Sequence, residues 1–247
     1  MTFKEKILAV IQRILFSKRE RLANSPLIEM IEKSRKYSDI DVNVIFEIGA
    51  NHGQDAKKIQ TFYRIEPSNI YLFEPHPILS KELKENYPLS QIFPIALSDK
   101  SGHANFNITK VGGRNDGVST LGERLLVKGD ENYQQLEVEV STLDKVMEEL
   151  SHVSSIDLIK IDVEGFTYEV LKGGENTFRN KVGCIQVESE TVEVFKGQQL
   201  YPAISKLLIS YGFVEMYKEQ FVTQNDTVWI HKRHLLHPEK FYKAVEN

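Results

Sequence analysis

Between residues 42 and 97 the chain alternates three short apolar runs with segments of helical periodicity, and this alternation restricts the fold more than any other feature of the sequence. The apolar runs lie at residues 42–48, 69–73 and 91–97, and the helical patterns between them lie at residues 54–65 and 78–87. This order is typical of parallel strands joined by right-handed helical crossovers. The sequence therefore predicts a doubly wound α/β sheet.

The same order returns in the second half of the chain. Strands are predicted at residues 157–163 and 182–188, and helices at residues 168–171 and 200–211. A closing antiparallel pair of strands is predicted at residues 213–217 and 227–231. We expect one α/β domain over residues 41–247, with a seven-stranded sheet that is mostly parallel and has a last antiparallel strand. Residues 103–110 and 136–143 have β patterns and flank a glycine-rich stretch at 112–117, which we interpret as a lid or substrate loop, or as a surface hairpin.

Residues 1–40 are expected to form an N-terminal helical extension, interrupted where Ser25 and Pro26 supply a helix N-cap and a first-turn proline. Residues 3–21 have a basic amphipathic pattern in which polar residues break the apolar stretch, so neither a signal peptide nor a membrane span is predicted. Such a helix could make peripheral contact with an anionic membrane. Packing on its own domain, or on a second subunit of a homo-oligomer, is favoured.

The charge balance argues against nucleic acid as a partner. The 247 residues include 31 Lys and Arg against 35 Asp and Glu, a formal net charge of −4, whereas a protein that binds a nucleic-acid backbone usually carries a basic face. A small neutral molecule or a sugar is therefore the expected substrate. The single cysteine, Cys184, lies in an apolar run and is expected to be a buried core residue, which suits a cytoplasmic protein.

A glycine turn follows the first predicted strand, at residues 47–53. Gly49 permits a tight turn, Gly53 leaves room for the next helix, and Asn51 tolerates left-handed backbone angles. Glu74 ends the next strand, where an acidic side chain can accept both hydroxyls of a ribose. The turn lacks the G-x-G-x-x-G pattern that cradles a pyrophosphate, which argues against a dehydrogenase. A nucleoside without phosphates fits better, and S-adenosylmethionine is the common one.

Charged residues follow the fourth predicted parallel strand, at the sheet edge where ligands of α/β proteins bind. Asp162 and Glu164 are the candidates for aligning an acceptor hydroxyl and removing its proton in methyl transfer. Lys160 is expected to pack or to form an ion pair, with Glu188 on the neighbouring strand as one partner, and Asn225 and Asp226 could reach the same edge. A divalent ion could bridge Asp162, Glu164 and the hydroxyl, but no third ligand is evident and no metal site is predicted.

The order of these motifs resembles the FkbM family of methyltransferases over roughly residues 42–231. The matching segments are Glu47-Ile48-Gly49-Ala50-Asn51-His52-Gly53, Phe73-Glu74-Pro75, Ala96-Leu97-Ser98-Asp99, Ser141-Thr142-Leu143-Asp144, residues 159–165, Val170-Leu171-Lys172-Gly173 and Val187-Glu188. The resemblance implies a Rossmann-like class I methyltransferase fold, S-adenosylmethionine as cofactor, and transfer of a methyl group to oxygen. Acceptors in the family include sugar hydroxyls of glycans and hydroxyls of polyketide products.

The resemblance also implies roles for individual residues. The expected cofactor-binding residues are Glu47, Gly49, Ala50, Asn51, Gly53, Glu74, Pro75, Ser98, Asp99 and Asp162. Among them, Glu74 would hold the ribose, Ser98 and Asp99 would lie beside the adenine, and the residues of the first motif would border the methionine half. The expected catalytic residues are Asp162, Glu164 and Glu188.

Two positions depart from the family pattern. The first motif begins with Glu47 where family members usually have aspartate, and Thr167 and Tyr168 stand where a glutamate is common, so the role of that acid is either shifted to Glu169 or absent. The leading hypothesis is an S-adenosylmethionine-dependent O-methyltransferase that acts on a sugar hydroxyl of a glycan or glycan precursor. The alternatives are O-methylation of a small secondary metabolite, and a non-catalytic cofactor-binding protein.

Overall fold

A computed structural model of the chain describes residues 22–23, 25–108, 119–123, 125 and 134–239. Its α-helices are α1 (Pro26–Arg35), α2 (Gln54–Tyr63), α3 (Pro77–Asn86), α4 (Leu143–Glu149), α5 (Thr167–Gly173), α6 (Glu175–Asn180) and α7 (Tyr201–Ser210). Its strands are β1 (Ile45–Ile48), β2 (Ile70–Phe73), β3 (Gln91–Phe93), β4 (Ala96–Leu97), β5 (Gly102–Ile108), β6 (Gln134–Ser141), β7 (Ile156–Ile161), β8 (Val182–Glu190), β9 (Phe213–Gln220) and β10 (Gln224–His231). Short 3-10 helices cover Pro67–Asn69 and Lys232–His234.

The main sheet has seven strands in the order β3-β2-β1-β7-β8-β10-β9. All neighbouring pairs are parallel except those of β10, which runs antiparallel to both β8 and β9. The predicted seven-stranded, mostly parallel sheet with a last antiparallel strand is therefore confirmed. The strand order reverses between β1 and β7, and the crevice at such a switch point is where open α/β sheets bind their ligands.

The strand predicted over residues 91–97 is divided between two sheets. Residues 91–93 form β3 at the edge of the main sheet, whereas Ala96 and Leu97 form β4 in a small sheet of order β4-β6-β5. Pro94 lies between the two strands. Because proline has no backbone N–H and cannot continue a hydrogen-bonded ladder, the chain leaves the main sheet there. The predicted stretch at 112–117 lies outside the described residues.

Helices cover both faces of the main sheet. One apolar core lies between the sheet and α4 to α7, with Phe178 and Leu208 fully buried in it. The other lies between the sheet and α1 to α3, and it contains Ile59 and the single cysteine, Cys184, which is 1% exposed as predicted. The α4 helix was not expected from the sequence; its N-cap is Thr142, whose side chain accepts a hydrogen bond from the backbone of Lys145.

The described part of the N-terminal extension packs on the domain. The α1 helix begins after Ser25, which has extended backbone angles, and has Pro26 at its first turn, as predicted. Ile28 and Ile31 are fully buried in the core that α1 shares with α2 and with the last two strands. The amphipathic pattern at residues 3–21 lies outside the described residues. Among the helices described, none has the length and apolar character that a membrane crossing needs.

Candidate active site

The turn between β1 and α2 has left-handed backbone angles at three positions. Gly49, Asn51 and Gly53 have φ values of 81°, 48° and 73°, so the predicted tolerance of Asn51 for this conformation is confirmed. A Cβ atom at Gly49 would lie 1.8 Å from the backbone carbonyl oxygen of Asp162, which leaves no room for any side chain. The end of β1 therefore lies directly against the turn that follows β7.

Glu74, at the end of β2, is held by two backbone N–H groups. Its Oε2 accepts a hydrogen bond from the N–H of Asn51 (2.8 Å), and its Oε1 accepts one from the N–H of His76 (2.8 Å). The residue is 5% exposed. Burial raises the pKa of the Glu74 carboxyl to about 7, although both hydrogen bonds oppose the shift. The carboxylate thus connects the turns after β1 and β2 and is fixed at the rim of the crevice.

A cavity lies in this crevice, and we call it the first cavity. Of the expected cofactor-binding residues, it is lined by Gly49, Asn51, Glu74, Pro75 and Asp162. The Oδ1 atom of Asn51 is buried there and has no hydrogen-bond partner among the described residues. Much of the remaining wall is apolar and was missed by the sequence analysis, including Phe73, Ile95, Leu97, Phe106, Leu121 and Phe166. Several of these residues come from or near the small sheet. Phe73 and Leu97 stand within matched motifs, but the sequence analysis assigned no apolar side chain to the cofactor site.

The other expected cofactor-binding residues do not line this cavity. Ala50 is buried behind the turn, and Gly53 begins α2, where the ring of Tyr87 lies against it. Ser98 and Asp99 face α5: a Cβ atom at Gly173 of α5 would come within 1.9 Å of the Ser98 carbonyl oxygen, and Asp99 forms an ion pair of 3.1 Å with Lys172. Ile95, Ala96 and Leu97, just before this pair, form that side of the cavity instead.

Glu47 lies beneath the turn, in a buried network around Lys160. The Nζ atom of Lys160 is 3.0 Å from Asp162 Oδ2, 3.3 Å from Asp55 Oδ2 and 3.8 Å from Glu47 Oε1. The ion-pair partner expected from the sequence, Glu188, is not among them. The three closer carboxylates come from β1, from α2 and from the turn after β7. Glu47 Oε2 also accepts a hydrogen bond of 3.0 Å from the N–H of Ala56.

The pKa values of this network reflect competition between burial and charge. Burial raises the pKa of Glu47 to about 8 despite the nearby ammonium of Lys160. Burial alone would lower the pKa of Lys160, but the carboxylates of Asp162, Glu47 and Asp55 raise it above its ordinary value. Lys160 is therefore a permanent buried cation that fixes one oxygen of Asp162.

A second cavity, of about 240 Å³, lies on the other side of Asp162. Its sheet wall consists of Lys160, Asp162, Gln186, Glu188 and Asp226, and it is closed by residues of α1 and α2, including Pro26, Met30 and Asp55. The strand register places Gln186 beside Lys160, and Asp226 beside Glu188, on the same face of the sheet. Asp162 lines both cavities, so the two adjoin at this residue.

Three carboxylates gather where the cavities meet. Asp162, Glu164 and Glu188 can each offer one oxygen such that these atoms all lie within 4.8 Å of one another. Burial, together with the negative charges of Asp162, Glu164 and Asp226, raises the pKa of Glu188 to about 9. The structure thus brings together all three residues that the sequence nominated as catalytic.

The turn that carries Glu164 has a strained backbone and is held by contacts with other segments of the chain. Glu164 has a φ of 48°, which is unfavourable for a residue with a side chain, and such outliers are concentrated at functional sites. Its carbonyl oxygen accepts a hydrogen bond of 2.6 Å from Thr120 Oγ1. The next residue, Gly165, packs against Phe195 so closely that a Cβ atom would lie 2.4 Å from its ring. Glu169, the suggested substitute for the missing family acid, lies on α5 and lines neither cavity.

Comparison with known proteins identifies the chain's relatives. The family model of the methyltransferase FkbM domain matches residues 47–215. The chain belongs to the FkbM methyltransferase family. The 2-O-methyltransferase NoeI of Sinorhizobium fredii (strain NBRC 101917 / NGR234) is 31% identical over 185 residues, which cover 70% of this chain and 74% of NoeI.

A solved structure shares the fold of this FkbM methyltransferase. The crystal structure of methyltransferase FkbM from Methylobacillus flagellatus KT has a TM-score of 0.51 to this chain at 9% sequence identity. The similarity covers 91% of this chain and 60% of that protein. At this identity the comparison shows a common fold.

As a member of this family, the protein is an S-adenosylmethionine-dependent methyltransferase. The residues that line the first cavity suit that cofactor chemically. Glu74 offers a carboxylate at the rim, and the Oδ1 atom of Asn51 is a buried acceptor without a partner among the described residues. Gly49 lines the same cavity, and the absence of a side chain there lets the turn after β7 approach closely. The apolar wall suits the faces of an adenine ring.

Cofactor affinity is expected to rise with pH through the pKa of Glu74. With a pKa of about 7, the Glu74 carboxyl is ionised in about a tenth of the molecules at pH 6 and in most of them at pH 8. Because only the ionised group accepts hydrogen bonds with both oxygens, binding of S-adenosylhomocysteine should be about ten-fold weaker at pH 6 than at pH 8. Calorimetric titration measures this. Glu74→Gln should bind more weakly at both values without that dependence, and a dependence that persists in the variant would assign it to another group.

The same shift has a consequence for stability. The pKa of Glu74 lies near 4.5 in an unfolded chain and near 7 in the folded protein. The stability that the protonated carboxyl contributes is therefore present below about pH 4.5 and is lost as the pH rises through 7. In cofactor-free protein, Glu74→Gln should accordingly gain in Tm relative to the wild type between pH 5 and pH 8. A difference that is constant over this range would contradict the raised pKa.

Proposed function

We propose that the protein transfers a methyl group from S-adenosylmethionine to a sugar hydroxyl of a glycan or glycan precursor. The observation that carries this proposal is the position of Asp162, which lies in the wall of both cavities. A cofactor in the first cavity and an acceptor in the second would meet at this carboxylate. Proximity and orientation of two bound reactants can supply roughly 7–11 kcal/mol of the barrier to such a displacement.

The first cavity holds the cofactor in this proposal. Glu74 accepts the ribose hydroxyls, Asn51 and the backbone at Gly49 face the methionine half, and the apolar wall receives the adenine. Glu47, Ala50 and Gly53 act indirectly, because they shape the turn and the start of α2. The cofactor supplies an electrophilic methyl group on a positively charged sulfur, and its transfer to a hydroxyl releases a proton.

The second cavity binds the acceptor. Its polar wall of carboxylates and one amide can accept and donate hydrogen bonds to several hydroxyls, which is what a sugar presents. The carboxylate cluster of Asp162, Glu164 and Glu188 orients one hydroxyl and takes its proton. The similarity to a protein named as a 2-O-methyltransferase supports oxygen as the methylated atom.

Asp162→Asn tests the catalytic assignment. The substitution keeps the shape and an oxygen that can accept from Lys160, but it removes the negative charge beside the acceptor. We expect kcat for methyl transfer to fall at least 100-fold, the usual range for loss of a general base, while the affinity for S-adenosylhomocysteine stays within a few fold. Asp39→Asn, at an exposed carboxylate paired with His234, is the matched control and should leave both values unchanged.

An acceptor screen tests the substrate class. Incorporation of labelled methyl from S-adenosylmethionine is measured with nucleotide sugars, free oligosaccharides and hydroxylated aglycones under the same conditions. Incorporation into a sugar hydroxyl that is lost in Asp162→Asn supports the proposal. Incorporation only into aglycones would assign the enzyme to secondary metabolites instead. If the wild type and Asp162→Asn bind S-adenosylhomocysteine equally tightly and neither incorporates label into any acceptor, a non-catalytic protein is favoured.

A further inference from the structure

The carboxylate cluster at the junction of the two cavities has the spacing of a cation site. One oxygen from each of Asp162, Glu164 and Glu188 can lie within 4.8 Å of the other two. Hard divalent cations bind oxygen at about 2.0–2.6 Å, so ligand oxygens on opposite sides of one ion are roughly 4–5 Å apart. A single cation placed among these three oxygens can therefore contact all of them with little movement of the side chains.

Negative charge is concentrated around the cluster. Asp226 adds a fourth carboxylate, in the wall of the second cavity with Asp162 and Glu188. Among the residues that the structure describes, Lys160 is the one buried lysine, and it is already shared among Glu47, Asp55 and Asp162. Glu188 forms no ion pair with any of the residues that the structure describes. Like charges held this close repel one another, and a divalent cation would relieve that repulsion.

Gln186 gives a second, independent indication of a ligand. It lies on β8 two residues before Glu188 and on the same face, and it lines the second cavity with Asp162 and Glu188. The residue is 3% exposed, and its Oε1 atom is buried without a hydrogen-bond partner among the described residues. Its Nε2 donates a long hydrogen bond of 3.5 Å to Asp226, which leaves the amide oxygen for another group. Amide oxygens are ligands of hard cations and acceptors for the water molecules that such cations carry.

We propose that Asp162, Glu164 and Glu188 bind one divalent cation of the Mg²⁺ or Mn²⁺ type, with the amide oxygen of Gln186 as a further ligand or as the acceptor of a cation-bound water. Carboxylate and amide oxygens without histidine or cysteine favour these hard cations over zinc or copper. The ion would lie at the point where the acceptor hydroxyl meets the first cavity. There it would bind the hydroxyl and lower its pKa; this role rests on the proposed function, whereas the binding itself does not.

Binding of Mn²⁺ to the full-length protein tests the site. The protein is freed of metal with EDTA, dialysed, and titrated with Mn²⁺ in the absence of cofactor and acceptor, with free Mn²⁺ followed by electron paramagnetic resonance. We expect one site per chain, competition by Mg²⁺, and at least ten-fold weaker binding in Glu188→Gln and in Asp162→Asn. Glu175→Gln removes an exposed carboxylate paired with Arg179 and should bind as the wild type does.

The outcomes separate this site from the proposed function. Absence of a Mn²⁺ site in the wild type, or unchanged affinity in both Glu188→Gln and Asp162→Asn, would overturn the proposal. Because both substitutions are nearly isosteric, circular dichroism and Tm establish that the variants are folded, and Glu164→Gln gives a third comparison. A protein that binds Mn²⁺ at these residues but transfers no methyl group would retain the cation site and lose the proposed function. Methyl transfer in a protein with no such Mn²⁺ site would retain the proposed function and overturn the cation site.

Discussion

Lys160→Met is expected to lower the free energy of unfolding by about 3–5 kcal/mol, the usual cost of leaving buried charges without their partner. Lys160 is 6% exposed, and its ammonium lies within 4.0 Å of Glu47, Asp55 and Asp162. Methionine fills a similar volume, so the loss reflects charge more than packing. Urea denaturation at pH 7, followed by fluorescence or circular dichroism, measures the change.

Lys172→Met is the matched control for this effect. Lys172 also pairs with an aspartate, at 3.1 Å, but its side chain is 48% exposed and water already screens the charges. It should leave the free energy of unfolding nearly unchanged. A loss of less than 1 kcal/mol for Lys160→Met would mean that the three carboxylates are satisfied without the lysine.

Gly49→Ala is expected to abolish cofactor binding and to destabilise the fold by about 3 kcal/mol or more. The new Cβ would lie 1.8 Å from the carbonyl oxygen of Asp162, so that β1 and the turn after β7 must separate. The residue also has a φ of 81°, which costs a residue with a side chain roughly 1–2 kcal/mol. We expect the affinity for S-adenosylhomocysteine to fall at least 100-fold, because the turns that form the first cavity would no longer meet.

Gly197→Ala separates the two contributions. Gly197 has a φ of 75°, but no atom lies within 4 Å of the position its Cβ would take. This variant should show only the backbone cost of about 1–2 kcal/mol and should bind the cofactor normally. Calorimetric titration and urea denaturation of both variants provide the comparison. Equal losses in the two proteins would show that the close approach of Gly49 to Asp162 is not important.

Much of the fold could be predicted because each strand and helix has a local pattern of its own. The apolar runs that became β1, β2, β7 and β8 are recognisable by composition and by the turns that follow them. The division of residues 91–97 between two sheets was harder to predict from the sequence. Pro94 marks the break, but the destination of Ala96 and Leu97 depends on β6, about 40 residues later in the chain. Non-local pairing of that kind leaves no signal in the local sequence.

The candidate site also contains residues whose position could be predicted from the sequence and residues whose position could not. Glu74 and Asp162 were found because they follow strands at the edge of the sheet where open α/β proteins bind their ligands. Ser98 and Asp99 belong to an equally recognisable motif, yet the structure turns them towards α5, where Asp99 pairs with Lys172. A motif shows that a segment has a role, but which way its side chains face depends on the elements that pack against it.

The sequence by itself determined the order of most strands and helices, the turn at Gly49 and the presence of acids after β7, because these follow from residue type and local spacing. Only the tertiary structure decided how those acids are arranged. Asp162 lies between two cavities, and Glu188 lies beside Glu164. Lys160 forms ion pairs with Glu47 and Asp55 as well as with Asp162. The physical reason is that each of these contacts joins separate elements, and their distances are set by the packing of the whole sheet.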